Sequence, residues 1–306
     1  MKRIAPDYYP QFHCIADQCR HNCCIGWEID VDEDTLAYYL SLDGEIGERL
    51  QKNICLTDET PHFILAEHER CPFLNDRNLC DLILEKGEGA LCQICDDHPR
   101  FYNDFSDRTE MGVGLCCEAA GRLILSKTDT MRLITMEDGD ETPDEEEEAL
   151  LSLRDHLLHL AQDRTQSIEA RMAHILAACG TELPEASLAD WAAFFMQLEQ
   201  LDPLWQKQLE QLKNAPSAPL APQWDTAFEQ LLCYFLYRHL PGALQDGCVQ
   251  ERAAFSVLSV QIIRALCGCK PDLQLDDIVE ISRMYSSEIE YSDENVDALL
   301  SALALE

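Results

Sequence analysis

The cysteines constrain this chain most. Of its sixteen, eleven fall between Cys14 and Cys117, and the other five are spread thinly over the stretch that runs on to residue 306. They come in batches: Cys14, Cys19, Cys23 and Cys24; then Cys71 and Cys80; Cys92 and Cys95; and Cys116 with Cys117. A soft metal needs several deprotonated thiolates converging at about 2.3 Å, and short spacings let one loop deliver two or three of them without long-range closure cost. Because the batches are scattered over a hundred residues, a shared centre would tie the whole front of the chain together. The metal would supply folding energy that a small core cannot.

The spacings bear on which metal. Zinc fingers use matched pairs of ligands two to four residues apart, and Cys92 with Cys95 forms one such pair here. Iron–sulfur clusters accept more varied separations, including a Cys-x3-Cys step like that from Cys19 to Cys23. The pattern therefore favours an iron–sulfur centre, 4Fe-4S first, with zinc as the alternative. A radical S-adenosylmethionine signature would need a third cysteine three positions after Cys23, where Gly26 stands.

The surroundings of this cysteine set point to a reducing compartment. The start, Met1 to Pro10, has two basic residues but no apolar run behind them, and no stretch of eighteen apolar residues occurs anywhere, so neither a signal peptide nor a membrane span is expected. A cytoplasmic protein is the expectation, and clustered thiols there bind metal more often than they form bridges. The formal net charge of -34 repels phosphate backbones, which makes nucleic acid a poor partner and a basic, lysine-bearing protein surface a better one.

Beyond residue 135 the pattern is helical. Nine of the twelve residues from Glu137 to Glu148 are acidic, yet Thr142, Pro143 and Glu145 read as the start of a helix. Leu188, Trp191, Phe195, Leu198 and Leu201 recur at helical steps, as do Phe228, Leu231, Leu232, Phe235 and Leu236, and Val257, Leu258, Ile262, Ile263 and Leu266. Breaks are expected at Asn214 to Pro222, at Pro241 and Gly242, and from Gly268 to Pro271. In the front part, short helices are expected near Asp34 to Leu50 and Ala119 to Thr130, with an extended piece at Trp27 to Val31. The fold class is thus mainly α: an irregular cysteine-rich metal-binding module over residues 1–135, followed by an α-helical domain over 136–306.

The front of the chain resembles the flagellin lysine-N-methylase family and, more distantly, cysteine-cluster proteins described as zinc- or iron-chelating. The matching text is Pro6 to Tyr9 ahead of Phe12 and Cys14; CRHNCCIGW from Cys19 to Trp27; CPFL from Cys71 to Leu74; Leu79 and Cys80; Cys95 followed by His98, Pro99, Arg100 and Asn103; and Cys116 followed by Glu118, Ala119, Ala120 and Arg122. It covers roughly residues 6–130, and the remainder resembles the family only in being helical. The resemblance implies that Cys14, Cys19, Cys23, Cys24, Cys71, Cys80, Cys95 and Cys116 are the family's cysteines. Cys92 and Cys117 stand where the family tends to have serine and proline, and Asn22 replaces a usual threonine. The resemblance further implies methyl transfer from S-adenosylmethionine to a lysine side chain of flagellin.

From the residues themselves the donor site is faint, since no strand followed by a glycine-rich turn and helix is visible. A sulfonium favours aromatic faces, which singles out Trp27, Tyr102 and Phe101, and Arg100 could hold a carboxylate; the alternative is that they pack around a metal loop. No catalytic base is legible. Cys55, Cys179, Cys233, Cys248, Cys267 and Cys269 are expected to be small buried hydrophobes, while His13, His21 and His98 are neighbours of ligand cysteines. A non-enzymatic iron–sulfur or zinc protein for electron transfer, metal handling or protein interaction is the competing reading.

Overall fold

A computed structural model describes residues 1–58, 60–214 and 218–304. Part of the break expected at Asn214 to Pro222 lies outside these residues. In chain order the elements are β1 (Lys2–Pro6), α1 (Glu33–Leu40), α2 (Gly44–Asn53), β2 (Ile54–Cys55), β3 (His62–Phe63), α3 (Asp81–Lys86), α4 (Gln93–Asp97), β4 (Arg100–Asp104), β5 (Arg108–Val113), α5 (Glu118–Leu125), β6 (Leu133–Glu137), α6 (Glu145–Ala161), α7 (Ile168–Ala178), α8 (Leu188–Phe195), α9 (Pro203–Asn214), α10 (Asp225–His239), α11 (Ala243–Asp246), α12 (Val249–Gly268), α13 (Leu275–Tyr285) and α14 (Asp293–Leu303). The described residues are 56% helical and the fold is mainly α, as the periodicity predicts.

Two compact units emerge, one of Met1–Phe12 with Phe101–Glu306, the other of His13–Arg100. The division therefore runs at Phe12/His13 and Arg100/Phe101 rather than near residue 135. The physical reason is a sheet that spacing could not reveal: in the larger unit four strands lie in the order β4-β5-β1-β6, with β1 parallel to β5 and antiparallel to β6. Ile4 and Ala5 of β1 are buried, so the first residues belong to the core of the larger unit and not to the cysteine module.

In that unit α10 packs against α5, α6 and α12. Nearly all of it is buried, including Glu229 and Gln230, which makes it a central helix instead of one with a single apolar stripe. Glu229 is compensated by Arg164 and Arg171, each with a nitrogen 2.8 Å from a carboxylate oxygen. Arg154 of α6 forks onto Glu110 of β5, with Nη2 2.8 Å from Oε1 and a second contact from Nη1, tying helix to sheet. Helix α6 starts two residues later than Thr142 and Pro143 suggest. Asp144 is its N-cap and closes a capping box with Glu147, and this pair satisfies the exposed amides that the earlier residues would have served.

The smaller unit has its own core, built from Ile29, Val31, Tyr39, Ile46, Leu50, Ile54, Phe63, Phe73, Leu74 and Leu82 together with Cys71 and Cys92. The expected helix from Asp34 to Leu50 is two helices, α1 and α2, broken at Leu42 and Asp43.

Candidate metal centre and a buried charge network

In the smaller unit, two short backbone pairings and a side-chain clamp gather thiols. The segment Cys24 to Gly26 runs beside Glu69 to Cys71: the Cys71 amide donates to the Cys24 carbonyl at 2.9 Å and Gly26 N donates to Glu69 O at 3.1 Å. Gly26 makes this approach at φ +92°, a conformation open to glycine. Asn22 turns the chain into it by accepting from the Cys24 amide at 2.9 Å. Next, Cys71 and Cys80 close a tight loop in which Leu74 bridges Cys80 and the Asp81 amide donates to Phe73 O at 2.8 Å. Last, Cys92 and Cys95 flank the first turn of α4, held to the start of α1 by the Asp32 carboxylate, which accepts from Gln93 N at 2.8 Å and from Thr35 N at 2.9 Å.

The thiols of Cys24, Cys71, Cys80, Cys92 and Cys95 thereby come within electrostatic reach as a chain of neighbours, and Cys23 joins them through Cys24. Two pairs share a proton. The Cys24 thiol donates to Cys23, lowering the latter to about 7, and Cys95 donates likewise to Cys92, whose pKa also falls. The donors are pushed up, Cys24 and Cys95 each by that same hydrogen bond first and then by burial and neighbouring sulfur charge. Burial raises Cys71 to about 11 and also raises Cys80. An all-sulfur set has the chemistry of a zinc or iron–sulfur site, but among the described residues no three of these sulfurs lie within 4.8 Å of one another. Cys92, which the resemblance sets aside, lies in the middle of this group; its two-residue spacing from Cys95 is the signal that marks it.

Of the other sequence candidates, Trp27 adjoins this group while Cys14, Cys19, Tyr102 and Cys116 stand outside it. Cys14 is exposed and its sulfur accepts from Ala16 N at 3.4 Å, while the Cys19 thiol donates to His21 O at 3.0 Å. Trp27 donates to the Cys23 carbonyl and its ring stands 5.8 Å from that of His98, whose pKa burial lowers to about 4. Arg100 donates to Asp96 O at 2.8 Å. Tyr102, on β4, is 42% exposed and belongs with Cys116 to the larger unit. Of the six cysteines expected to be buried hydrophobes, Cys233 and Cys267 are buried, whereas Cys55, Cys179, Cys248 and Cys269 are partly exposed.

The larger unit contains a second constellation that sequence reading missed. After α13 the chain makes a π turn, Ser286–Glu290, which swings Glu290 inward against α10. Its Oε1 lies 2.6 Å from His239 Nε2, 3.5 Å from Arg238 Nε and accepts from the Tyr234 hydroxyl at 3.0 Å. Tyr234 in turn accepts from Arg238 at 2.7 Å and from Leu115 N at 3.2 Å. The Arg238 guanidinium sits 4.9 Å from the Phe101 ring centre and 4.8 Å from that of Tyr291, which also shares a hydrogen bond with Cys116. Phe101 reaches this place because position 112 is glycine; a Cβ there would fall inside the ring. Burial would raise Glu290, but the positive Arg238 and the His239 hydrogen bond hold it below its ordinary value. Burial lowers His239 despite Glu290, helped by Arg238 and Arg252. Burial also raises the Cys116 thiol to about 12. Such a network of displaced pKa values at a π turn is a candidate functional site.

Comparison with known proteins bears on this second constellation. The family described as FliB lysine N-methylase C-terminal domain matches residues 181–306, the helical region that holds Tyr234, Arg238, His239 and Glu290 and that in sequence offered only its periodicity. The flagellar biosynthetic protein FliU of Salmonella muenchen is 30% identical over 142 residues, covering 44% of this chain and 84% of that protein. The lysine-N-methylases of Salmonella typhimurium and Salmonella choleraesuis are each 30% identical over 142 residues, covering 44% of this chain but 35% of their own length. No solved structure matches. The chain belongs to the flagellin lysine-N-methylase family.

Proposed function

We propose that this protein is a protein lysine N-methylase that takes its methyl group from S-adenosylmethionine and acts on flagellin or a similar lysine-bearing protein, with an iron–sulfur cluster, 4Fe-4S, in its thiol unit. The observation that carries the activity is the family match over the very helices that build the Glu290 network. In the reaction the neutral amine nitrogen of lysine attacks the sulfonium methyl carbon. The carbon–sulfur bond breaks, S-adenosylhomocysteine leaves, and the amine proton passes to a base or to solvent. A surface of net charge -34 attracts the lysine cation, and a desolvated site lowers its pKa so that it reacts as the free amine. Within the larger unit Glu290 and Tyr234 are the candidates to hold that proton and Tyr102 is a candidate for the donor; Trp27 and Arg100, on the smaller unit, are separate candidates for the donor.

The cluster is drawn from Cys23, Cys24, Cys71, Cys80, Cys92 and Cys95. When bound it supplies cross-links that hold the small unit together. The thiol protons must leave for it to form.

The test is incubation of anaerobically purified full-length protein with methyl-labelled S-adenosylmethionine and flagellin from the same organism. A methyl-sized mass gain on lysine is expected, falling by about 10²-fold or more in Glu290→Gln if that carboxylate handles the proton. No mass gain with the folded protein and its metal intact would defeat the proposal.

A further inference from the structure

The smaller unit carries another group of ligands, apart from the six thiols. Strands β2 and β3 pair so that Cys55 lies directly across from His62, and the segment before α1 runs alongside β3, with Asp30 bridged to His62 and the Phe63 amide donating to Ile29 O at 2.9 Å. Alternation along these strands sends Ile54, Phe63 and Ile29 into the core and turns Cys55, His62 and Glu28 to the outer face. Asp58, in the loop joining the strands, folds back over the same face. One ligand atom from each of Cys55, Asp58 and His62 lies within 4.8 Å of the other two. Glu28 adds a carboxylate oxygen 3.9 Å from His62 Nε2, about as close as the Asp58 oxygen at 3.8 Å.

Two details prepare these groups for a metal. His62 Nδ1 is 3.0 Å from the Thr60 carbonyl, a contact that fixes the tautomer with the proton on Nδ1 and leaves the Nε2 lone pair facing the two carboxylates. Cys55 is held by a contact of 3.3 Å to the Thr57 hydroxyl and stands partly open to solvent instead of packing in the core.

We infer that Cys55, Asp58 and His62, with Glu28 as the fourth ligand, form a zinc site that staples the β2–β3 hairpin. A set of one sulfur, one imidazole nitrogen and carboxylate oxygens suits Zn²⁺ and excludes the all-oxygen preference of Ca²⁺ and Mg²⁺. Bonds of about 2.0 to 2.3 Å place tetrahedral ligands roughly 3.3 to 3.8 Å apart, so Cys55, Asp58 and His62, within 4.8 Å of one another, close by about 1.5 Å at most, and Glu28, outside that group, swings in as the ion binds. On binding, the Cys55 thiol gives its proton to solvent. Four protein ligands leave no open position, which makes the role structural. The site is independent of the methylase reading and of the six thiols.

The test is zinc stoichiometry and affinity of the full-length protein, measured with Zn²⁺ alone. Cys55→Ser and His62→Gln are each expected to remove one equivalent of zinc, and Asp58→Asn to weaken that equivalent by about tenfold or more. Cys24→Ser leaves it in place. Circular dichroism shows whether each variant remains folded, and the exposed Asp58 provides a variant that threatens the fold least. In the unmodified protein, added Zn²⁺ shifts the Nε2 resonance that His62→Gln removes. Unchanged zinc stoichiometry in Cys55→Ser and His62→Gln, or no response of that resonance, overturns the inference.

Discussion

Glu290 and His239 show how burial and charge compete at single residues. Glu290 is fully buried, yet Arg238 and His239 keep it ionised more readily than an exposed glutamate; His239, between the rings of Phe235 and Phe255, is kept neutral by its apolar setting. Both folded-state pKa values lie below the unfolded ones, so both contribute stability at neutral pH that is lost on acidification. The loss begins as pH falls below 6.5, the ordinary histidine value, and deepens below 4.5, the ordinary glutamate value. Amide exchange in α10, corrected for intrinsic rates, should show protection declining across this window, and Glu290→Gln should flatten its lower part. Protection unchanged down to pH 4 would contradict this account. None of it is legible in sequence, because Glu290 and His239 lie 51 residues apart and stand in helices whose apolar patterns give no hint of a shared site.

At the scale of elements, capping chemistry sets the start of α6. Asp144 accepts from Glu147 N at 2.9 Å, and the Glu147 side chain reaches back to Asp144 N and also takes the Ser106 amide at 2.9 Å. Asp144→Ala should therefore cost about 1 kcal/mol of stability, read from denaturant unfolding, whereas Thr142→Ala should be near neutral. Equal effects of the two would place the cap elsewhere. Sequence reveals that a helix begins here but not at which residue, since Thr142 and Asp144 are both competent caps. The sheet was harder to read: β1 is five residues long and pairs with Arg108 to Glu110, so its partner is set by distant packing and leaves no local trace. The helical period of α10 and α12 was readable because it repeats every turn, whereas the run read from Leu188 to Leu201 ends as helix at Phe195 and leaves Leu201 exposed.

Across the whole molecule, the same contrast separates the two units. The thiol unit could be recognised because cysteines are rare and their batches are local, and because few apolar residues stand between them. What could not be foreseen was which thiols meet. Cys92 joins the group through the first turn of α4, while Cys116 lies in the larger unit beside Tyr291. The larger unit, in contrast, rests on an extensive apolar core gathered around α10 and needs no metal to explain its packing. Burial raises Cys71 and Cys80, so these thiols stay neutral at ordinary pH, and a metal must displace their protons to bind.

A metal ligated by these thiols is the claim on which the reading of the small unit stands. The most direct measurement is iron, sulfide and zinc content, with the visible spectrum, of protein purified without oxygen. Iron and sulfide with brown absorption are expected, lost in Cys24→Ser and Cys95→Ser and kept in Cys248→Ser. Folded protein without iron or zinc on these thiols, or a centre untouched by the first two substitutions, would contradict it.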